Sequence, residues 1–260
     1  MTLPRRAVYA TQPAPLRKQI HDALGRASTA PSEGQLFALI VPDSNRLGGA
    51  AIAAEAYALL KGQDFDTVIL VSPSHEGDFG RISICRADTY HTPLGEVPIN
   101  DRLRHEFCDE DDDIYLDDAG HYHTEGVDVQ LPFLQVLFPD RAFDIVPLVM
   151  GEETPAFCRE LGIAVGEVMY GQQALIIATA DVLQVEGAAF EDFTAVLKAF
   201  DESELLHLLG GERLKMEGMG AVIVAIIAAA HRGARRAEVL AYEPPTETEI
   251  GAFACALWRD

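Results

Sequence analysis

The stretch TVILVSPSHEG, from Thr67 to Gly77, decides the fold of this chain of 260 residues. Its first part, TVILVSP, has the continuous apolar character of a strand that is buried on both faces of a sheet. A serine and then His75 follow directly. Because ligands of open α/β sheets gather just beyond the carboxyl ends of the strands, His75 becomes the first candidate for a binding residue.

Three further apolar runs resemble this strand and alternate with segments of helical character. The runs are QLFALIVP (35–42), FDIVPLVM (143–150) and QALIIATAD (173–181). An alanine-rich helical segment ends at Gly62, and another has Thr154 as N-cap and Pro155 at its first helical position. This alternation predicts one α/β domain over residues 1–260, with a mostly parallel central sheet flanked by helices.

Other segments have less regular patterns. RISICRA (81–87) alternates between apolar and polar residues, which indicates an edge strand or an antiparallel strand. VDVQLPFLQVLF (127–138) has a helical pattern, and Pro132 is expected in its first turn, where the missing N–H is harmless. Near the end of the chain, AEVLAYEP and GAFACALW have strand-like character.

The acidic composition excludes several classes of partner. The chain has 20 Lys and Arg residues against 41 Asp and Glu residues, for a formal net charge of −21. A field of this sign repels nucleic acid and anionic membranes. No apolar run reaches the roughly 20 residues that span a bilayer, and none follows the two N-terminal arginines. We therefore expect no membrane segment, no signal peptide and a cytoplasmic location.

Motifs of other site classes are missing from the sequence. The four cysteines are far apart and form no CxxC pair, which predicts free thiols and argues against a cysteine zinc site. GxGxxG, P-loop and GxSxG motifs are also absent. The clearest functional signal is that Asp43, His75 and Asp181 each stand just beyond a predicted central strand. The strand-end rule predicts that they line one crevice.

The order of these motifs resembles that of a known family. VILVSPSH is followed by YHTPLGEVPIND (90–101), HYHTEGVDVQLPFLQ (121–135), FDIVPLVMG and IIATADVLQ. Together they resemble the Memo family, whose bacterial members are known as AmmeMemoRadiSam system protein B, over nearly the whole chain. The resemblance implies the fold of class III, LigB-type extradiol dioxygenases. Those enzymes hold non-haem Fe(II) with two histidines and one acidic residue, whereas Memo proteins usually present His, His and Cys with a nearby Asp and a further His.

The resemblance also implies that the metal site is eroded in this chain. His75 and Asp181 retain the family's residue types. The other four positions have changed: Asp43, Glu125 and Gln184 each replace a histidine, and Met219 replaces the cysteine. Loss of the thiolate removes the softest ligand of the set.

Two interpretations of the retained positions stay open. Asp43, His75 and Asp181 would form a set of one histidine and two carboxylates, which suits Mn²⁺, Fe²⁺ or Mg²⁺ better than Cu(I). Each residue also has an ordinary structural role, because aspartates cap turns and helices and a histidine can close a turn. We therefore expect either no cofactor or a divalent metal (Fe, Mn or Cu) that binds weakly.

The neighbouring positions are expected to surround the same pocket. Its predicted lining comprises Glu125, Gln184, Met219 and His123. Ordinary roles are favoured for several of them: Glu125 as a first-turn helix acid, Met219 as a core residue, and His123 with His121 as surface-loop residues.

These expectations lead to two hypotheses about function. The first is a Memo-like protein with an extradiol-dioxygenase-type fold and an eroded metal site, which binds a small molecule or a protein partner without catalysis. The alternative is a non-haem, metal-dependent oxidoreductase that uses the site of one histidine and two carboxylates. The sequence indicates neither the substrate nor the protein partner.

Overall fold

The computed structural model of the chain describes residues 10–30, 32–44, 49–77, 79–110, 112–122, 125–140 and 142–260. His123, which was predicted to line the pocket, lies outside these residues. Within the described ranges, no helix combines the length and the apolar character that crossing a membrane requires.

Strands and helices alternate along the chain. The strands are β1 Gln35–Val41, β2 Thr67–Pro73, β3 Ile82–Ile84, β4 Thr89–Thr92, β5 Gly95–Pro98, β6 Ile114–Leu116, β7 Asp144–Met150, β8 Ala174–Thr179, β9 Asp181–Val185, β10 Leu214–Glu217, β11 Arg236–Glu243 and β12 Gly251–Arg259. The helices are α1 Pro13–Leu24, α2 Gly49–Tyr57, α3 Asp101–Glu110, α4 Gly126–Leu137, α5 Pro155–Val168, α6 Ala189–Ala199, α7 Glu202–Leu208 and α8 Met219–His231.

One large mixed sheet forms the centre of the fold, with the strand order β10–β9–β12–β1–β8–β2–β7–β3–β6, and β11 pairs with β12. Its middle strands, β1, β8, β2 and β7, are parallel neighbours. They are the four apolar runs of the sequence, and helices cover both of their faces. The predicted fold class, an α/β fold with a mostly parallel central sheet flanked by helices, is confirmed.

Alternate residues of the central strands serve two different cores. In β2, Val68 and Leu70 pack in the layer that contains α1, α2 and α4. Ile69 and Val71 pack in the opposite layer, which contains α3, α5, α6, α7 and α8. Because both faces of the strand are buried, the sequence of β2 has to be continuously apolar.

Helix α4 differs from its prediction at Pro132, which lies inside the helix rather than in its first turn. The helix already begins at Gly126, so Pro132 lies beyond its first turn. Proline has no backbone N–H, and the carbonyl of Asp128 therefore lacks its usual hydrogen bond within the helix. Tertiary contacts hold the helix in place on both sides of the proline. Gln130 donates to the carbonyl of Pro42 at 3.0 Å, and Phe133 stacks on Tyr57 with ring centroids 4.5 Å apart.

Two other local predictions have different outcomes. Strand β3, within RISICRA, pairs antiparallel with β7, which confirms the antiparallel alternative, while its other side is covered by β6. The prediction of a surface position for His121 is wrong, because this side chain is buried and its Nε2 lies 3.3 Å from the carbonyl oxygen of Ser83. The tight turn at Gly120, with φ of +77°, brings the loop down onto the sheet.

Candidate functional site

The ends of β1 and β2 bring Asp43 and His75 into direct contact. Nε2 of His75 lies 2.7 Å from Oδ2 of Asp43. Asp43 is completely buried, whereas the side chain of His75 is 20% exposed. Two of the polar residues that follow the central strands are thus in contact at the strand ends, and His75 is the more solvent-exposed of the two.

Asp43 is fixed by groups from two other elements. Thr179, the last residue of β8, donates its hydroxyl to Oδ1 of Asp43. Gly126, the first residue of α4, packs against the same oxygen so closely that a Cβ at this position would overlap it and would lie 2.7 Å from Cβ of Ser72. The start of α4 can therefore approach the strand ends only with glycine at position 126.

Asp181 lies beside this pair but uses its carboxylate to hold the loop after β1. Its Oδ1 accepts the backbone N–H of Asp43 at 3.1 Å, and its Oδ2 accepts the hydroxyl of Ser44 at 2.5 Å. Burial and then the charge of Asp43 raise the pKa of Asp181 to about 7, against the bond from Ser44. Asp181 thus belongs to the site and has the turn-holding role that the sequence left open.

Glu217 supplies a third group that the sequence analysis missed. Oε1 of Glu217 lies 3.5 Å from Nε2 of His75. Strand β10 positions it, because β10 pairs with β9 so that Glu217 stands opposite Asp181. Ligand atoms of Asp43, His75 and Glu217 lie within 4.8 Å of one another, and among the described residues this is the group of His, Cys, Asp and Glu that could hold a metal ion. The available signal was an acidic residue at the end of LKME, directly before the glycine of GMG.

The surrounding carboxylates change the protonation of His75. Burial lowers the pKa of its imidazole, but the hydrogen bond and charge of Asp43, with the charges of Glu217 and Glu125, outweigh burial and raise that pKa to about 9. In the absence of a bound cation, His75 is therefore protonated at neutral pH and balances part of the negative charge of the site.

Glu153, in the loop between β7 and α5, adds a further carboxylate. Its Oε2 accepts the backbone N–H of Gly220 at 3.0 Å, at the start of α8. Burial raises the pKa of Glu153 to about 7, and the charges of Asp43 and Glu217 raise it in the same direction. The site is thus a cluster of carboxylates around one histidine.

The other predicted pocket residues occupy different places. Glu125 precedes α4, makes no capping bond with its side chain, and lies near enough to His75 to influence its pKa. Gln184 donates to Oε1 of Glu186 and to the carbonyl of Glu212. Met219, the first residue of α8, is buried in the hydrophobic core, as the ordinary interpretation expected.

The comparisons with known proteins agree with the motif order. Residues 6–251 match the family model described as Memo-like protein. A MEMO1 family protein of Methanosarcina acetivorans is 30% identical over 218 residues, which cover 81% of this chain and 79% of that protein. A MEMO1 family protein of Saccharolobus islandicus is 28% identical, with 80% and 76% covered.

A solved structure shows the same fold. An uncharacterised protein of Escherichia coli K12 aligns with a TM-score of 0.57 over 85% of this chain and 99% of its own chain. Only 13% of the residues are identical, so this similarity concerns the fold alone.

Proposed function

Because this chain belongs to the Memo family, we propose that it is a binding protein in which Asp43, His75 and Glu217 hold a hard divalent cation weakly, without catalysis. The observation that carries the proposal is the mutual approach of these three donors to within 4.8 Å. Asp181 fixes the position of Asp43, because its carboxylate accepts the backbone N–H of Asp43.

The chemistry of the donors supports a hard cation rather than Cu(I). Two carboxylates and one imidazole suit Mn²⁺, Mg²⁺ or Fe²⁺, whereas Cu(I) prefers thiolate and thioether ligands. Met219, which stands where the resemblance has a cysteine, packs in the core. Weak binding is expected because Asp43 already forms an ion pair with His75, which a cation has to displace.

A second candidate is a metal-dependent oxidoreductase of the extradiol-dioxygenase type. Three protein donors would leave coordination positions open, and a bound Fe(II) would supply the chemistry with O₂. On this alternative, Asp43, His75 and Glu217 would hold the metal, and Asp181 would keep Asp43 in place.

Metal analysis and calorimetry distinguish the two candidates. Protein purified without a His-tag or added metal should contain well below one equivalent of Fe, Mn or Cu and should bind added Mn²⁺ weakly. His75→Ala and Glu217→Gln should each weaken that binding about tenfold or more, whereas Glu247→Gln, at an exposed position, should leave it unchanged. Absence of Mn²⁺ and Mg²⁺ binding would contradict the proposed cation site. Uptake of O₂ with catechols after Fe(II) loading, lost in His75→Ala, would establish the oxidoreductase instead.

A further inference from the structure

A cavity of about 160 Å³ lies where the parallel strands begin, at the opposite end of the sheet from the proposed cation site. It is bordered by the first residues of β1 and β8, whereas Asp43 and His75 follow the last residues of β1 and β2. Its volume is below the range for drug-sized ligands, so a ligand has to be small. The wall combines amide side chains, apolar residues and an arginine, among them Gln63, Gln173, Leu36, Leu60, Phe65 and Arg232.

Arg232 brings a guanidinium group without a carboxylate partner to this wall. Its Nη2 donates to the carbonyl of Gln172, which also lines the cavity, at 3.1 Å. Its Cζ lies 4.8 Å from the centroid of the Phe37 ring. Within the described part of the chain, the guanidinium forms no ion pair and donates to no other acceptor. Because the side chain is partly exposed and has five N–H groups, it retains donors for a ligand.

A second arginine makes the surroundings of Arg232 positive. Cζ of Arg259 lies 5.4 Å from the centroid of the same Phe37 ring, and its Nη2 donates to the uncharged side chain of Gln35. Burial and then the charge of Arg259 lower the pKa of Arg232, as expected for like charges that lie close without a counterion. The chain has 41 acidic residues against 20 basic ones, and yet no described carboxylate pairs with either arginine. This arrangement favours an anion from outside the chain as the counterion.

Other residues of the wall select among anions. Asp64 is an exposed residue of the wall, and its charge disfavours a ligand with a second negative charge. The formal net charge of −21 acts in the same direction. Leu36 and Phe65 contribute apolar surface, which suits a short hydrocarbon chain. These features favour a carboxylate with one charge and an apolar body over phosphate.

We propose that this cavity binds a small monocarboxylate with a short apolar body. The carboxylate pairs with the guanidinium of Arg232, and the hydrocarbon body packs against Leu36 and Phe65. The site is independent of the proposed cation site, because it uses none of Asp43, His75 and Glu217 and lies at the other end of the strands.

Calorimetric titration of the intact chain with butyrate, butyramide and phosphate tests this proposal. Butyrate should bind saturably at millimolar concentration, and butyramide should bind about tenfold more weakly, because it has a similar shape without the charge. Phosphate should also bind more weakly than butyrate. Arg232→Gln should weaken butyrate binding about tenfold. Arg235→Gln is the matched control, since it removes the same charge from an arginine outside the wall, and it should leave binding nearly unchanged.

A variant that strengthens binding covers the case in which Arg232→Gln does not fold. Asp64→Asn removes an exposed negative charge from the wall and should strengthen butyrate binding about threefold, whereas Glu247→Gln, an equal charge change outside the wall, should not. The proposal is overturned if butyrate does not bind at millimolar concentration or if butyramide or phosphate binds as well as butyrate. It is also overturned if Arg235→Gln has the effect of Arg232→Gln, or if Asp64→Asn has no more effect than Glu247→Gln.

Discussion

Nε2 of His75 and Oδ2 of Asp43 lie 2.7 Å apart, and this pair connects the ends of β1 and β2. The charge of the buried aspartate affects the protonation of the partly exposed histidine. Asp43 raises the pKa of the imidazole through both a hydrogen bond and its charge, and it does so more strongly than Glu217 or Glu125.

Removal of the charge of Asp43 should therefore restore an ordinary titration to His75. In Asp43→Asn, the pKa of the imidazole should fall from about 9 towards 6.5, because burial then acts with less opposition. NMR titration of the His75 ring measures this change. Glu125→Gln serves as the matched control and should lower the pKa much less. A pKa that stays near 9 in Asp43→Asn would show that the pair does not exist in solution.

Gly126 should be intolerant of any side chain. A Cβ at this position meets Oδ1 of Asp43, Cβ of Ser72 and Oγ1 of Thr179, so Gly126→Ala should reduce the free energy of unfolding by about 1–3 kcal/mol. Urea denaturation measures the loss. Gly25→Ala makes the same chemical change at a helix end with φ of −71° and should change stability by less than about 1 kcal/mol. Equal effects of the two variants would contradict the close approach of α4 to the strand ends.

Much of the fold could be predicted because its signals are local. The strands β1, β2, β7 and β8 are buried on both faces, and such burial requires continuous apolar runs that are visible in the sequence. Helix α5 begins as predicted, since the hydroxyl of Thr154 accepts the N–H of Phe157. Pro132 was misplaced because contacts from distant parts of the chain, such as Tyr57 with Phe133, decide where α4 lies.

The site was predicted less completely for a similar reason. The strand-end rule brought Asp43 and His75 together, because they follow β1 and β2, which are parallel strands on either side of β8 in the same sheet. Glu217 reaches them only through the antiparallel register of β10 on β9, which includes an irregularity between Lys215 and Met216. No local pattern contains that register. His121 was misplaced because its burial depends on the fold of its loop over Ser83.

Glu217 and Asp181 should differ in their roles when each is neutralised. Glu217→Gln should weaken Mn²⁺ binding about tenfold or more and leave stability nearly unchanged, because Glu217 is partly exposed and faces the donors of the cluster. Asp181→Asn should mainly lower stability, because it weakens the bonds that hold Asp43 and Ser44. Calorimetry and urea denaturation measure the two effects. The reverse result, in which Asp181→Asn weakens Mn²⁺ binding and Glu217→Gln does not, would show that Asp181 is the third ligand, as the sequence first indicated.

His121 should make the protein sensitive to acid. Burial lowers the pKa of its imidazole to about 4, although the bond to Ser83 and the charges of Asp118, Glu76 and Asp117 act in the opposite direction. Below pH 6.5 the unfolded chain binds a proton at His121 while the folded chain does not, so this residue's contribution to stability falls as the pH drops to about 4. The full loss is about 3 kcal/mol. Relative to His121→Gln, which does not titrate, the wild type should lose free energy of unfolding over this pH interval in urea denaturation. A difference between the two proteins that stays constant with pH would show that His121 is solvated, as a surface residue would be.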